Sequence, residues 1–483
     1  MTNPEAEIAN LVASLKCGSV VAAAGCGKTE QIVRATQIAE GRRLILTHTH
    51  AGVDALRKRF ITHKVESKKF RVDTIAGWCL LYAISFPKWS GLSCAVPKND
   101  KEWSAVYEAT ARLIQSGAVK GVLTSSYSGV FVDEYQDCSG HQHRVIKAIA
   151  PYLPVCVFGD PLQAIFDFKG QSSVDWSSDV FPVFSKAGEL NIPWRWRNAG
   201  NEDLSEWLRN IRSTIEQGGA IDLRSPPTGV TWQPLPEKPA LRQSKVVSTC
   251  KALMNKASNG YLVVIGDPAN INVRANLAKN LAAVGFSNIE PLDCKDLYKF
   301  AERLEGSTGL VRLEIALDFI CACMIRSDKT AFISAVKSHL DGSKRGAAKF
   351  GALIEKGIAV VKDVSDEALL ELMHGFSNRD STRLFRRQMF FAMCSALRIK
   401  SARQYDSLAE AIWQVQNRTR HTDRIIGKRS IGSTLLVKGL EFDHVVIVHS
   451  NNMSRKDWYV ALTRATTSLT ILAPSEVFSP AEK

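Results

Sequence analysis

The sequence predicts an α/β protein with parallel sheets in two halves, each half carrying an inserted, mostly helical segment. Three observations predict it. Short apolar runs at 20–24 (VVAAA), 44–47 (LILT), 130–132 (VFV), 155–158 (VCVF), 261–265 (YLVVI), 445–448 (VVIV) and 469–472 (LTIL) have the length and composition of strands buried on both faces. Helix-period segments such as 30–40 and 143–150 separate many of them, as strand–helix alternation requires. The runs fall into two groups, one up to about residue 158 and one from about residue 261.

Taken in order, residues 1–85 and 127–220 form the expected first sheet domain. Residues 86–126, with Trp89 and Trp103, form a small helical insertion within it. Pro226, Pro227, Pro234, Pro236 and Pro239 mark a loop-rich linker. Residues 221–291 and 424–483 form the second sheet domain. Segment 292–423 is rich in charged, helix-compatible residues and poor in strand-like runs, so it reads as a helical insertion.

The composition suits such a fold. The chain has 483 residues, 45% hydrophobic, 23% charged and 8% aromatic, which argues against wholesale disorder, collagen-like repeats and coiled-coil rods. No apolar stretch approaches the roughly 18–20 residues of a membrane span, so no membrane partner is expected. The first residues carry Glu5 and Glu7 and no basic region, unlike a secretory signal. Eleven scattered cysteines then read as reduced thiols of a cytoplasmic protein, and Cys321 and Cys323 lack zinc-knuckle spacing. Lysine plus arginine is 62 against 48 acidic residues, a net charge of +14 that makes a polyanion the expected partner. Between Asp341 and Ser430, 17 basic and 10 acidic residues place +7 in a stretch of 90, enough to track a phosphate backbone.

Chemistry enters at Ala22-Ala23-Ala24-Gly25-Cys26-Gly27-Lys28-Thr29, which follows a strand and precedes a helix, the context of a phosphate loop. Gly25 and Gly27 let the backbone turn tightly and bring its N–H groups to phosphate oxygens. The helix that starts near Lys28 points its positive end at the anion. Lys28 can neutralise the β- and γ-phosphates of ATP, and the Thr29 hydroxyl can ligate Mg²⁺. Ala22 stands where the common pattern has glycine.

A second strand, 130–132, runs into Asp133-Glu134-Tyr135-Gln136-Asp137. Acids at the end of a buried strand are costly unless a cation or water uses them. Asp133 is placed to hold Mg²⁺ through water, and Glu134 to orient and deprotonate an attacking water. A third strand ends at Phe158-Gly159-Asp160-Pro161-Leu162-Gln163, which puts Gln163 beside the same crevice as a sensor of the γ-phosphate. Phe166, Phe168 and Lys169 follow, and rings beside a basic residue can stack unpaired bases or simply fill a core.

In this order the motifs resemble those of the UvrD/Rep/PcrA-like superfamily 1 DNA helicases, over nearly the whole chain. Residues 22–29 resemble the family's Walker A segment, 133–137 (DEYQD) its Walker B, and 159–170 (GDPLQAIFDFKG) its coupling motif. Residues 46–59 (LTHTHAGVDALRKR) resemble the DNA-contact motif of the first domain. Residues 191–198 (NIPWRWRN), 437–443 (VKGLEFD) and 459–465 (YVALTRA) resemble the later motifs.

The resemblance implies two RecA-like P-loop domains and an ATP- and Mg²⁺-dependent motor on single-stranded or tailed DNA, running 3′→5′. By this carry-over Trp194 stacks on adenine, and Arg195 and Arg464 reach the γ-phosphate, Arg464 as an arginine finger from the second half. Glu441 contacts the nucleotide sugar, Lys438-Gly439 brings backbone near phosphate, and Phe168 stacks bases. Thr49, His50, Arg57 and Lys169 are the remaining DNA-contact candidates.

Some positions depart from the family pattern. The N-terminal glutamine that reads adenine has no counterpart, His48 stands for the usual Phe, and Ala76 and Leu435 stand where His is usual. Such changes suit a weaker hold on DNA with ATP hydrolysis intact. They leave open a nucleotide- and DNA-sensing subunit that licenses a separate nuclease. Compact UvrD-like proteins of this kind resemble helicase subunits of bacterial anti-phage systems such as the Gabija type, which pair with an OLD-family nuclease. The 19 residues after Arg464 hold no nuclease, so cutting is expected from another protein. An RNA helicase of the other superfamily 1 branch is the third reading.

Overall fold

The computed structural model describes residues 4–97, 99–166, 173–256, 260–291, 294–402, 404–420 and 426–482. The chain forms two compact units, Met1–Gly219 with Arg455–Thr466, and Ala220–Ser454 with Thr467–Lys483.

The first unit is built on a six-stranded sheet: β1 (Cys17–Ala22), β2 (Arg43–Thr47), β3 (Phe70–Thr74), β4 (Gly129–Val132), β5 (Val155–Gly159) and β6 (Lys186–Leu190). The order is β3-β2-β4-β5-β1-β6 and every pairing is parallel. Parallel strands need crossovers, and helices supply them: α1 (Pro4–Ser14), α2 (Lys28–Ile38), α3 (His50–Thr62), α4 (Ile75–Ser85), α5 (Asp100–Gln115), α6 (Lys120–Ser126), α7 (Gly140–Ile149), α8 (Trp194–Asn198) and α9 (Glu202–Glu216). Because all six strands run one way, the turns after β1, β2, β4 and β5 open at one edge of the sheet. That is where open α/β sheets bind ligands.

Two packed layers hold this sheet. Ile32, Val33, Ile45, Phe131 and Phe158 fill one face. Trp78, Ile114, Val130, Val132, Ile146 and Phe184 fill the other. The small helical insertion contributes Val106, Leu113, Ile114 and Leu123 to that second layer, so it shares the sheet's core. Its helix α5 lies against α4 and α7.

The second unit has its own six-stranded sheet: β7 (Val230–Pro234), β8 (Leu262–Ile265), β9 (Ser287–Asn288), β10 (Arg429–Gly432), β11 (Phe442–Val448) and β12 (Ala465–Ala473), in the order β9-β10-β8-β11-β12-β7. The β9–β10, β10–β8, β8–β11 and β12–β7 pairings are parallel. Helices α10 (Pro239–Lys256) and α11 (Ile271–Leu281) flank it.

Between β9 and β10 comes the expected helical insertion, as α12 (Lys295–Leu304), α13 (Gly309–Cys323), α14 (Lys329–Leu340), α15 (Leu353–Lys362), α16 (Asp366–Ser377), α17 (Arg387–Ser401) and α18 (Leu408–Arg420). It owns a core of Phe319, Phe332, Phe376, Phe390 and their neighbours. Arg386, just before α17, donates to Glu290 at 2.8 Å and Asp296 at 2.9 Å and so pins the insertion beside the exit of β9. A buried pair of this kind holds geometry more than it adds stability.

One boundary differs from the sequence expectation. The segment Arg455–Thr466, with its helix α19 (Arg455–Leu462), groups with the first unit. Its Trp458, Tyr459, Val460, Ala461 and Leu462 are buried, and the helix lies against α9 and the turn Pro161–Gln163. Among the described residues no helix is long and apolar enough to cross a membrane.

Candidate active site

The phosphate loop begins where β1 stops. The strand ends at Ala22, and Ala23–Gly27 make the turn, closed by the Cys26 N–H on the Ala23 carbonyl at 3.2 Å. Gly25 (φ 71°) and Gly27 (φ 79°) lie in the left-handed region that other residues resist. A Cβ on Gly25 would meet Arg195 Cβ at 2.8 Å, and one on Gly27 would meet Trp194 Cδ1 at 3.4 Å. Gly27 is also the N-cap of α2 and has no side chain to satisfy the first-turn amides, which leaves that end suited to an anion.

Lys28 opens α2 and lies 3.4 Å from Glu134 Oε1. Burial works against its charge, but Glu134, Asp133 and Asp160 outweigh burial and hold its pKa above the ordinary lysine value. The acids sit on the turn after β4. The Asp133 N–H donates to the Leu46 carbonyl at 2.8 Å, and Asp133 Oδ1 accepts the Glu134 N–H at 2.9 Å. Burial, then the Glu134 charge, pushes the Asp133 carboxyl up to about 7, and Lys28 opposes them. Glu134 itself is left-handed at φ 55°, a backbone state that costs about 1 kcal/mol and is retained at functional turns.

These donors fit a hard divalent cation. A buried carboxylate whose charge is disfavoured gains most from a cation beside it, and a hydroxyl and a carboxylate are oxygen ligands of the Mg²⁺ type. Among the described residues no group of three His, Cys, Asp or Glu is gathered to hold a metal alone. Thr29 and Asp133 would share an ion with phosphate oxygens.

A chain of hydrogen bonds leads on from Glu134. Gln136 Nε2 donates to the Glu134 carboxylate, and Gln136 Oε1 accepts the Asp160 N–H at 3.0 Å. Asp160 is wholly buried and its Oδ2 accepts from Gln163 Nε2 at 2.8 Å. Gln163 Oε1 faces Arg464 Nη2 at 3.4 Å. Arg464 is almost fully buried, its Nε on the Val460 carbonyl at 2.9 Å and its Nη2 on Thr463 Oγ1 at 2.9 Å. Arg195 donates to the Thr463 carbonyl at 2.6 Å and its N–H to the Gly25 carbonyl at 3.2 Å. Trp194 is partly exposed, with Arg197 5.9 Å over its ring.

The structure therefore brings together, within the first unit, the Ala22–Thr29 loop, Asp133, Glu134, Gln163, Trp194, Arg195 and Arg464. Glu441 lies in the second unit, exposed on the turn before β11. Phe168 and Lys169 fall outside the described residues. Thr49 caps α3, its Oγ1 accepting the Gly52 N–H at 3.0 Å, and His50 is the first residue of that helix. Arg57 Nη2 donates to the Val72 carbonyl at 3.2 Å. His48 Nε2 meets Cys138 Sγ at 3.6 Å, so the turn after β2 touches the segment that follows the acidic pair.

Sequence reasoning passed over four residues. Asp160, Gln136 and Tyr459 lie inside quoted motifs and were available there. Arg212, on α9, belongs to none. Behind the phosphate loop a cavity of about 320 Å³ is lined by Ala23, Ala24, Cys26, Trp196, Arg212 and Tyr459, among others.

Two family descriptions match the chain: "UvrD/REP helicase N-terminal domain" over residues 97–174, and "Viral superfamily 1 RNA helicase core domain" over residues 404–473. No curated protein sequence matches it. Among solved structures it is similar to an Arterivirus nonstructural protein 10 helicase in complex with DNA, at 11% identity and a TM-score of 0.37. That likeness covers 97% of this chain and 63% of the viral one, so the chain spans under two thirds of that protein.

Proposed function

We propose that this chain is a UvrD-like superfamily 1 helicase, an ATP- and Mg²⁺-dependent motor that walks 3′→5′ on single-stranded DNA. The two family matches support a nucleic-acid helicase with nucleoside triphosphatase chemistry; DNA as the strand, the direction and the residue roles are our reading. The observation that carries it is the unbroken line of contacts Lys28–Glu134–Gln136–Asp160–Gln163–Arg464.

Each residue then has one task. Lys28 and the amides of the loop hold the β- and γ-phosphates. Glu134, released from Lys28 when phosphate takes the ammonium, orients and deprotonates the attacking water. Gln163, Arg464 and Arg195 meet charge that builds as the γ-phosphoryl leaves, the kind of contact that raises turnover rather than affinity. Trp194 offers adenine a flat apolar face. Thr29 and Asp133 would hold Mg²⁺, which would supply charge neutralisation at the phosphate oxygens. His48, in the turn after β2, links strand binding to the acidic turn through Cys138.

Steady-state ATP hydrolysis with and without a defined DNA strand tests this. Stimulation by DNA is expected, together with loss of turnover to background in Lys28→Ala. Equal rates with and without DNA would sink the motor reading, and wild-type turnover in Lys28→Ala would sink the phosphate site. The match of residues 404–473 to a viral RNA helicase core favours a second reading, an RNA strand. RNA of the same sequence in the same assay decides, and stronger stimulation by RNA would replace DNA.

A further inference from the structure

A wholly buried carboxylate persists only where its lone pairs are met. Asp160 meets Gln163 through Oδ2, and through Oδ1 it meets Arg212 Nη1 at 2.8 Å and the Leu162 N–H at 3.3 Å. Arg212 lies 52 residues further on, in α9, outside every motif named above. The same Nη1 donates to the Tyr459 hydroxyl at 2.7 Å, while Arg212 Nη2 pairs with Glu216 at 3.1 Å. The Tyr459 hydroxyl also accepts the N–H of Ala24, in the phosphate loop, at 3.1 Å. Arg212 therefore joins the turn bearing Gln163 to the first residues of the phosphate loop, with one phenol between.

We propose that Arg212, acting through Tyr459 and Asp160, is a positioning residue for triphosphate hydrolysis. It keeps Ala24, Gln163 and Arg464 in one registry without touching the nucleotide. The inference rests on the nucleotide reading given above. Ground-state contacts from Lys28 and the loop amides survive the loss of this link, whereas those that strengthen as the γ-phosphoryl leaves need Gln163 and Arg464 aligned. Weakening the link thus lowers kcat with little change in KM. A role confined to stability would lower the amount of folded protein and leave kcat per folded site unchanged.

The test measures ATP hydrolysis at saturating single-stranded DNA for the wild type, Tyr459→Phe and Arg212→Ala. Folded sites are counted by titration with a fluorescent ADP analogue. Tyr459→Phe removes one hydroxyl and is expected to lower kcat per site about 10-fold with KM within about twofold. Arg212→Ala is expected to lower kcat about 100-fold, because it leaves a buried carboxylate without its partner. Millimolar ethylguanidinium, entering through the cavity that Arg212 and Tyr459 line, should restore part of that loss. Ethylammonium at the same concentration should not, since it lacks the planar fork.

Unchanged kcat per site in Tyr459→Phe, a loss wholly in KM, or equal rescue by both cations would overturn the proposal. If Arg212→Ala does not fold, the Tyr459→Phe result alone decides. A wild-type chain that hydrolyses ATP while Tyr459→Phe matches it defeats this inference alone. A wild-type chain with no ATPase defeats the hydrolytic reading beneath it.

Discussion

Asp133 shows how one residue carries both chemistry and a cost. Its carboxyl titrates near pH 7 in the folded site, against 3.8 ordinarily, first because it is buried and then because Glu134 is beside it. Between those values the unfolded chain has released this proton and the folded chain retains it. Raising the pH across that window therefore favours unfolding, and the penalty is complete above about pH 7. Without nucleotide or metal, Asp133→Asn should melt a few degrees above the wild type at pH 8 and level with it near pH 4, as about 1 kcal/mol shifts Tm by about 2–4 °C at this domain size. Calorimetry at the two pH values checks this, and a constant difference would mean that Lys28 keeps Asp133 ionised throughout. The same substitution should abolish ATP turnover. At this scale the sequence was legible wherever reactive residues are contiguous: Gly25 to Thr29, Asp133-Glu134, Trp194-Arg195. Arg212 was not, because its meaning comes from partners 52 residues upstream and 247 downstream.

Elements obey the same division. Strands β2, β4 and β5 are buried along their whole length and read plainly as apolar runs. Missed strands include β3 (FRVDT) and β6 (KAGEL), the two edges of their sheet, whose partly exposed residues tolerate charge. Strand β9, Ser287–Asn288, is another edge and has only two residues, too few to show a pattern. The run 20–24 reaches two residues too far, since Ala23 and Ala24 turn away from β1 to start the loop. That turn makes a sharp prediction. Gly25→Ala must adopt φ 71° and place a methyl 2.8 Å from Arg195 Cβ, so we expect a stability loss of about 1–2 kcal/mol and loss of nucleotide binding. Chemical denaturation and ADP-analogue titration read the two effects separately. The helix cap at Thr49 gives a milder case: Thr49→Ala should cost about 1 kcal/mol of stability, read from the same denaturation midpoint.

Over the whole molecule, charge was the most legible property. The surplus of +14, of which +7 falls between Asp341 and Ser430, predicts binding to a polyanion that weakens steeply with salt. Lys344 and Arg345 are exposed on the loop after α14. Changing both to Glu should lower affinity for single-stranded DNA, with the slope of log K against log salt falling by about 0.7 for each phosphate that is no longer neutralised. Fluorescence anisotropy at four salt concentrations measures it, and an unchanged slope would put the strand elsewhere. Domain order was readable from the two groups of strands, whereas the allegiance of Arg455–Thr466 was not. Its apolar residues suit either sheet's company, and only packing against α9 and the Pro161–Gln163 turn decides.

That allegiance has a consequence for how the protein is made. Ala24 and Tyr459, which share a hydrogen bond, are 435 residues apart in sequence. A ribosome therefore releases the phosphate loop more than 400 residues before the tyrosine that braces it. Until Tyr459 has left the exit tunnel, the nascent chain can shape its first sheet but cannot close that hydrogen bond on the phosphate loop.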